Sequence, residues 1–341
     1  MGAEQIAWLA ERAAFRPSGR SWELHELHVP FDELTGSDGY ERLAMKRLSD
    51  GTGLAVIGPS GAGKSSVIAW ICDRLPASHY ALRIPITAVE DPGSVGEVAR
   101  LALSIALDEL VLDAVGERDL LQARADSALA ARIPSAVSAK LGGGAIPAEV
   151  AVNIASLREE FTQERLAGDH LLALNGRLVP ILAEAGTTPV FVFEDTEATI
   201  GGVDERRRAE AFFAGPLSAF VEQVDAPTIV AVQTHLLEDS RAFGRLAPVL
   251  QRLVIPLLDE SSGSAIEMIL ARRVELAGLE LRLGELLERA ALEQLADFYR
   301  QSSGDLRRVL VATHEACEQA AADGVDVIGA PHIRYGIAQW Q

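Results

Sequence analysis

Residues 58–65 read Gly58-Pro59-Ser60-Gly61-Ala62-Gly63-Lys64-Ser65, a complete G-x-x-x-x-G-K-[ST] phosphate loop. The apolar run Leu54–Ile57 precedes it, and a helical pattern from Ser66 to Leu75 follows and stops before Pro76. A strand, this loop and a helix in that order commit the chain to an α/β core. The glycines let successive N–H groups turn inward around an anion, where any Cβ would crowd the approach. The helix start adds its positive dipole end. Gly58, Pro59, Ser60, Gly61, Ala62, Gly63, Lys64, Ser65 and Ser66 are therefore the expected nucleotide-binding set. Lys64 reaches the outer phosphates of a nucleoside triphosphate and the Ser65 hydroxyl meets Mg²⁺. A chance glycine-rich turn is the competing explanation, and the flanking strand and helix argue against it.

Five apolar runs read as buried strands: Leu54–Ile57, Ala81–Thr87, Val190–Phe193, Thr228–Gln233 and Leu253–Leu257. Helical patterns separate them, which predicts a parallel sheet covered on both faces. Before them, Ala3–Phe15 and Tyr40–Leu48 read as short helices around a Pro/Gly-punctuated stretch, Arg16–Gly39. The stretch from about residue 92 to 180 is long for one crossover. It is Ala-rich and helical, except around Pro134–Ile154, where Gly142-Gly143-Gly144 could close a small hairpin. After Asp259 the pattern becomes all-helical, with helices expected at Ser264–Ala277, Glu285–Ser302 and Asp305–Asp323. Ile266, Ile269, Leu270 and Val274 share one face of the first, and Asp305 suits the N-cap of the third. The expected organisation is a lead-in at 1–50, a nucleotide-binding domain at 51–258 and a helical domain at 259–341.

Charge narrows the partners. A formal net charge of −18 argues against a polyanion-binding surface, since nucleic-acid affinity rests on Lys and Arg at phosphates. The 92–180 insertion carries no basic excess either: 14 Asp/Glu stand against 8 Lys/Arg between residues 85 and 180. The two cysteines, Cys72 and Cys317, sit on expected helices and read as free thiols in a reducing compartment. With no leader-like start and no apolar stretch near the ~20 residues of a membrane span, the expectation is a cytoplasmic protein without a membrane partner.

Two further segments carry chemistry. The strand Pro189–Phe193 runs into Glu194-Asp195-Thr196, and acids at the end of a core strand need a cation or solvent. Beside a phosphate loop, one acid suits the Mg²⁺ shell and the other orients water. Side chains alternate along a strand, so Glu194 shares a face with Val192 and Asp195 points opposite. Either acid can take either role, with Glu197 as a further water-side group. A solvated strand end is the plainer alternative. The fourth apolar run ends in Gln233-Thr234-His235, where Thr234, or failing it Gln233, can bond the γ-phosphate or the attacking water; His235 suits a surface or packing role. Arg307 falls in the first turn of an expected helix, where a cation opposes the dipole and needs an anion. A phosphate would serve, as would a salt bridge to Asp305.

Together these residues resemble the AAA+ ATPases, and within them the origin-recognition and replication-initiator clade. The likeness rests on the phosphate loop, on Ile269-Leu270-Ala271-Arg272-Arg273-Val274-Glu275, on Gly304-Asp305-Leu306-Arg307 as a sensor 2 motif, and on Val327–Ile333 closing the lid. It covers roughly residues 28–90 and 180–340. The resemblance implies that Arg307 is the sensor 2 arginine, that Thr234 sits at sensor 1, and that Val29-Pro30-Phe31 packs near adenine. It further implies an oligomer in which Arg241, Arg245 or Arg252 reaches a neighbour's γ-phosphate, the latter two being preferred. Two departures stand out. The acids read Glu194-Asp195 where the family has Asp-Glu, which implies slow hydrolysis. The chain also ends at Gln341 directly after the lid, with no winged-helix domain expected.

The expected activity is thus that of an ATPase, ATP and water giving ADP and phosphate. Glu194, Asp195, Thr234 and Arg307 are its catalytic set, and Ser65, Glu194 and Asp195 its metal-side groups. Binding of Mg-ATP would be coupled to homo-oligomer assembly and to regulation of a separate effector or client protein. The alternatives are an ATP-gated scaffold with little turnover, in a defence or mobile-element system, and a DNA-loaded regulator, which the acidic composition disfavours.

Overall fold

The computed structural model describes residues 2–17, 23–36, 39–111, 148–162, 166–194, 196, 204–234, 246, 249–258 and 262–340. The expected hairpin around Gly142–Gly144 lies outside them, as do Asp195, Glu197, His235, Arg241 and Arg245.

Helices α1 (Gly2–Glu11), α2 (Phe31–Thr35) and α3 (Tyr40–Ser49) precede strand β1 (Gly53–Gly58) and helix α4 (Lys64–Asp73). Next come β2 (His79–Pro85), α5 (Val95–Val111), α6 (Ala148–Phe161), α7 (Gly168–Glu184) and β3 (Thr188–Glu194). Helices α8 (Asp204–Phe212) and α9 (Ser218–Gln223) lead to β4 (Thr228–Gln233) and β5 (Leu250–Val254). The C-terminal portion is helical: α10 (Ser262–Leu276), α11 (Leu283–Leu286), α12 (Arg289–Gln301), α13 (Leu306–Asp323) and α14 (Ala330–Ala338).

The strands form one five-stranded parallel sheet in the order β2-β3-β4-β1-β5. Burial follows this order. Every residue of β1 and β4 is buried, as in a sheet covered on both faces, whereas the edge strands β2 and β5 carry half-buried and exposed positions. Each run expected from the sequence holds a strand, though the second, expected to reach Thr87, stops at Pro85 before a 3₁₀ turn at Ile86–Ala88. The fifth begins and ends about three residues earlier than expected, so Arg252 lies within β5, exposed, rather than before it.

Contacts divide the chain into two compact units, one of Met1–Met45, Ile57–Asp73 and Val254–Gln341, the other of Lys46–Val56 and Arg74–Leu253. The second holds the sheet apart from the last residues of β1 and β5. Its core is aromatic: Phe220 stands edge-on to Phe191 and Phe193, with ring centroids 4.8 and 5.2 Å apart, and Phe212 packs on Phe213. Between α8 and α9, residues Phe213–Leu217 widen into a π-helical turn around Pro216, which has no N–H to continue the α-helical ladder. Asn175 on α7 is fully buried and donates to Ala99 O on α5 at 2.9 Å.

The first unit joins the two ends of the chain. Trp8 Nε1 donates to Ala277 O at 3.0 Å, the Ala3 N–H to Asp326 at 2.9 Å, and the Cys317 thiol to Ile6 O at 3.6 Å. The two arginines of α10 tie down the lead-in. Arg272 Nε donates to Glu26 O at 3.0 Å. Arg273, 3% exposed, donates to the carbonyls of Ala14, Arg16 and Pro17 at 3.1, 2.6 and 3.2 Å. Burial draws the Arg273 guanidinium down to about 10. The helix expected over Glu285–Ser302 is broken at Leu287–Glu288. There the backbone is extended and pairs with Ile328, Glu288 N donating to Ile328 O and Ile328 N to Leu286 O. The stretch from Val327 to Ile333 ends in α14, which starts at Gly329 with Pro331 in its first turn.

Candidate nucleotide site

The phosphate loop sits between β1 and α4 as the motif requires. Gly61 and Gly63 have φ of 73° and 93°, a left-handed backbone that costs an L-residue with a Cβ about 1 kcal/mol or more. Lys64 is the first residue of α4 and is 5% exposed. Its Nζ donates to the carbonyls of Gly58 and Pro59 at 3.0 and 2.8 Å, so the ammonium is held inside the curl of its own loop. Ser65 is exposed on the first turn of α4, and Ser66 Oγ donates to Gly63 O at 2.8 Å. An α-helix supplies no acceptor of its own for its first amides; here those of Ser66 and Val67 turn back to Gly63 O, both at 3.1 Å. A buried ammonium beside a helix start is a fitting receptor for a phosphate chain, and the Ser65 hydroxyl is a fitting oxygen donor for Mg²⁺.

The Gly-Asp-x-Arg turn meets this loop within the first unit. Asp305 is the N-cap of α13, accepting from Arg308 N at 3.1 Å. A Cβ placed on Gly61 would collide with the Asp305 carboxylate and stand 3.1 Å from Arg307 Cβ. Gly61 thus allows the start of α13 to lie directly on the phosphate loop, with the exposed Arg307 side chain issuing beside it.

The lead-in reaches the other end of α4. His28 is buried, with Nε2 3.0 Å from Glu41 Oε1, which also accepts from Phe31 N at 2.7 Å. The His28 ring packs against Trp70 of α4 and against Phe31, at centroid distances of 5.7 and 5.8 Å. Burial first, and Glu41 second, push the Tyr40 phenol well above its ordinary range. Val29-Pro30-Phe31 is therefore anchored by an acid and a histidine that the sequence does not distinguish from surface residues.

The remaining site residues belong to the second unit. Glu194 ends β3, and both of its oxygens accept from Arg83 of β2, at 2.9 and 2.7 Å. Parallel register sets Arg83 opposite Val192 and Pro85 opposite Glu194, which lets the guanidinium reach along the strand ends in a two-pronged pair. Thr234 directly follows β4 and is half-buried, and Gln233 before it is buried. Thr196 Oγ1 donates to Ala231 O at 2.7 Å, fastening the chain beyond β3 to β4. Arg252 O accepts from Arg47 at 3.1 Å. Sequence reasoning missed Arg83; an arginine on an edge strand carries no local sign of its partner. We expect Arg83→Ala and Glu194→Gln each to cost about 1 kcal/mol, the pair being partly exposed. The double variant should cost little more than either alone in a denaturant cycle.

Among the described residues no group of three or more His, Cys, Asp or Glu could by itself hold a metal ion, and no helix is long and apolar enough to cross a membrane.

No protein-family model and no curated protein matches the chain. Solved structures do. The Aeropyrum pernix ORC1 protein in complex with DNA aligns with a TM-score of 0.53 at 15% identity, over 92% of this chain and 66% of that one. The Aeropyrum pernix ORC2 protein in its ADPNP–ADP complexes aligns with a TM-score of 0.51 at 17% identity, over 96% and 71%. Cdc6p from Pyrobaculum aerophilum aligns with a TM-score of 0.50 at 16% identity, over 96% and 70%. The chain thus spans about two thirds of the length of these proteins. What it shares with them is the fold: a phosphate loop on a five-stranded parallel sheet, with a helical C-terminal portion, is the AAA+ P-loop fold of the ORC and Cdc6p structures.

Proposed function

We propose that the chain binds Mg-ATP at the phosphate loop and couples binding and slow hydrolysis to homo-oligomer assembly and to regulation of a partner protein. The observation that carries this reading is the packing of Gly61 against Asp305 and Arg307, which gathers an anion-binding loop and a cation within one compact unit. Lys64 neutralises the outer phosphate oxygens, and Arg307 addresses the γ-phosphate from α13. Ser65 and an acid at the end of β3 would hold Mg²⁺, which would supply charge neutralisation on the phosphate oxygens. The ion pair of Glu194 with Arg83 favours Asp195 as the metal-side acid, leaving Glu194 and Thr234 to orient water. The trans arginine is one of Arg241, Arg245 and Arg252, and the domain limits are those expected from the sequence.

The same ion pair supports a second reading, an ATP-gated switch that turns over little. A carboxylate held in a two-pronged pair with a guanidinium is less free to turn toward an attacking water. A DNA-loaded regulator is the least favoured form, against a net charge of −18. Steady-state ATP turnover and mass-resolved assembly state, measured on one preparation of wild type and Asp195→Asn, separate these forms. Turnover lost in the variant supports the ATPase. Assembly on ATP with negligible turnover in both proteins selects the switch. A wild type that binds no ATP ends both readings.

A further inference from the structure

The geometry points to Asp305 as a positioning residue of the phosphate site that acts through Arg307, an inference that rests on the nucleotide-site reading above. Three contacts meet at its carboxylate. One oxygen accepts from Arg308 N at 3.1 Å and so starts α13 at Leu306. The other stands 3.3 Å from Arg308 Nε. The same carboxylate occupies the space that a side chain on Gly61 would need.

The turn behind Asp305 is fixed from its other side. Ser303 and Gly304 both have left-handed backbones, with φ of 57° and 83°. A Cβ on Gly304 would press Leu257 at 2.9 Å and the Tyr299 hydroxyl at 3.2 Å, and that hydroxyl accepts from Leu258 N at 3.3 Å. Just upstream, Ile255 N donates to Ile57 O at 2.7 Å, at the end of the strand that enters the phosphate loop. A path therefore runs from Ile57 to Ile255, along the chain to Leu257 and Leu258, and through Tyr299, Gly304 and Asp305 back to Gly61. Asp305 is the link that touches the loop.

A bare carboxylate against a phosphate loop would repel the ligand. Here its charge is taken up by the helix start and by Arg308. Asp305 sets where α13 begins, and Arg307, two residues on, presents its cation from that fixed start. Loss of the cap would let the first turn of α13 fray and scatter Arg307, which weakens only contacts that Arg307 makes.

The test is the affinity of the full chain for ATP and for ADP, with the nucleotide-free thermal midpoint read alongside, for wild type, Asp305→Ala, Asp305→Asn, Arg307→Ala and the Asp305→Ala/Arg307→Ala double variant. Asp305→Ala should weaken ATP about fivefold and ADP less than about twofold. Asp305→Asn, which caps a helix as well as aspartate does, should stay within about twofold of wild type for both. Asp305→Ala should add less than about twofold to Arg307→Ala. If the alanine variant does not fold, Asp305→Gly, which loses only part of the cap, is read in its place: its ATP loss should be smaller than fivefold, should exceed its ADP loss, and should vanish in the Arg307→Ala background. Equal losses for ATP and ADP, or a full additional loss on top of Arg307→Ala, overturn the assignment while leaving nucleotide binding intact. A wild type that binds neither nucleotide removes the reading on which the assignment rests.

Discussion

Lys64→Ala should weaken ATP binding by about 100-fold or more, the largest functional loss expected of any single substitution in this chain. The ammonium is 5% exposed and hydrogen-bonded to Gly58 O and Pro59 O, so a phosphate chain in the loop would meet it with little competing water. Charge-assisted hydrogen bonds in such a setting are the strong ones. The substitution also strips the two carbonyls of their donor, and part of any loss could reflect a slackened loop. Lys64→Met separates packing from polarity, because it keeps the buried stem while removing the charge together with its two hydrogen bonds. Titration of a fluorescent ATP analogue, with the thermal midpoint read in parallel, should find both variants deficient in binding and Lys64→Met close to wild type in stability. Binding retained by Lys64→Met would show that the charge is not what holds the ligand.

The largest loss of stability should come from Arg273→Ala, roughly 3–5 kcal/mol. One guanidinium serves three carbonyls, those of Ala14, Arg16 and Pro17, at a site 3% exposed. Alanine leaves all three without this donor and opens a cavity among buried side chains. Arg273→Lys should fall between, since an ammonium cannot fork across the three acceptors. Burial lowers the folded guanidinium to about 10, from its higher unfolded value. Fewer protons are then bound in the folded state between those values, and stability gained from this group rises with pH only there. Across neutral pH the difference between wild type and variant should be flat. Amide hydrogen exchange in α1 and α10 is the sensitive readout, because the loss should appear first where the clamp is broken.

The strands and the phosphate loop were legible because each is a local pattern: an apolar run of four to seven residues, or a spacing of glycines and a lysine. The helix break at Leu287–Glu288 was not, because its cause is a bridge to Ile328, some forty residues on. No local pattern shows what Arg83, Arg272 and Arg273 bind, and all three are pinned by partners distant along the chain. Of the site, Gly58–Ser66 and the Asp305 cap lie in the structure where the spacing predicts. The contact between Gly61 and Asp305 could not be read, since neither residue carries any local sign of the other.

Residues 2–17 are bonded to residues 273–326, which places the two ends of a 341-residue chain in one body. Nascent chains emerge at roughly 5–20 residues per second, so α1 must wait on the order of tens of seconds for the helices it packs against. During that wait the faces of Ile6 and Leu9, fully buried at the end, are without their partners. The lead-in is thus synthesised well before the segments it packs against and is completed only after them, and contacts of such separation slow folding. A fusion partner placed ahead of Gly2 would act on this late step, and its effect should appear in yield and refolding rate before it appears in the finished protein.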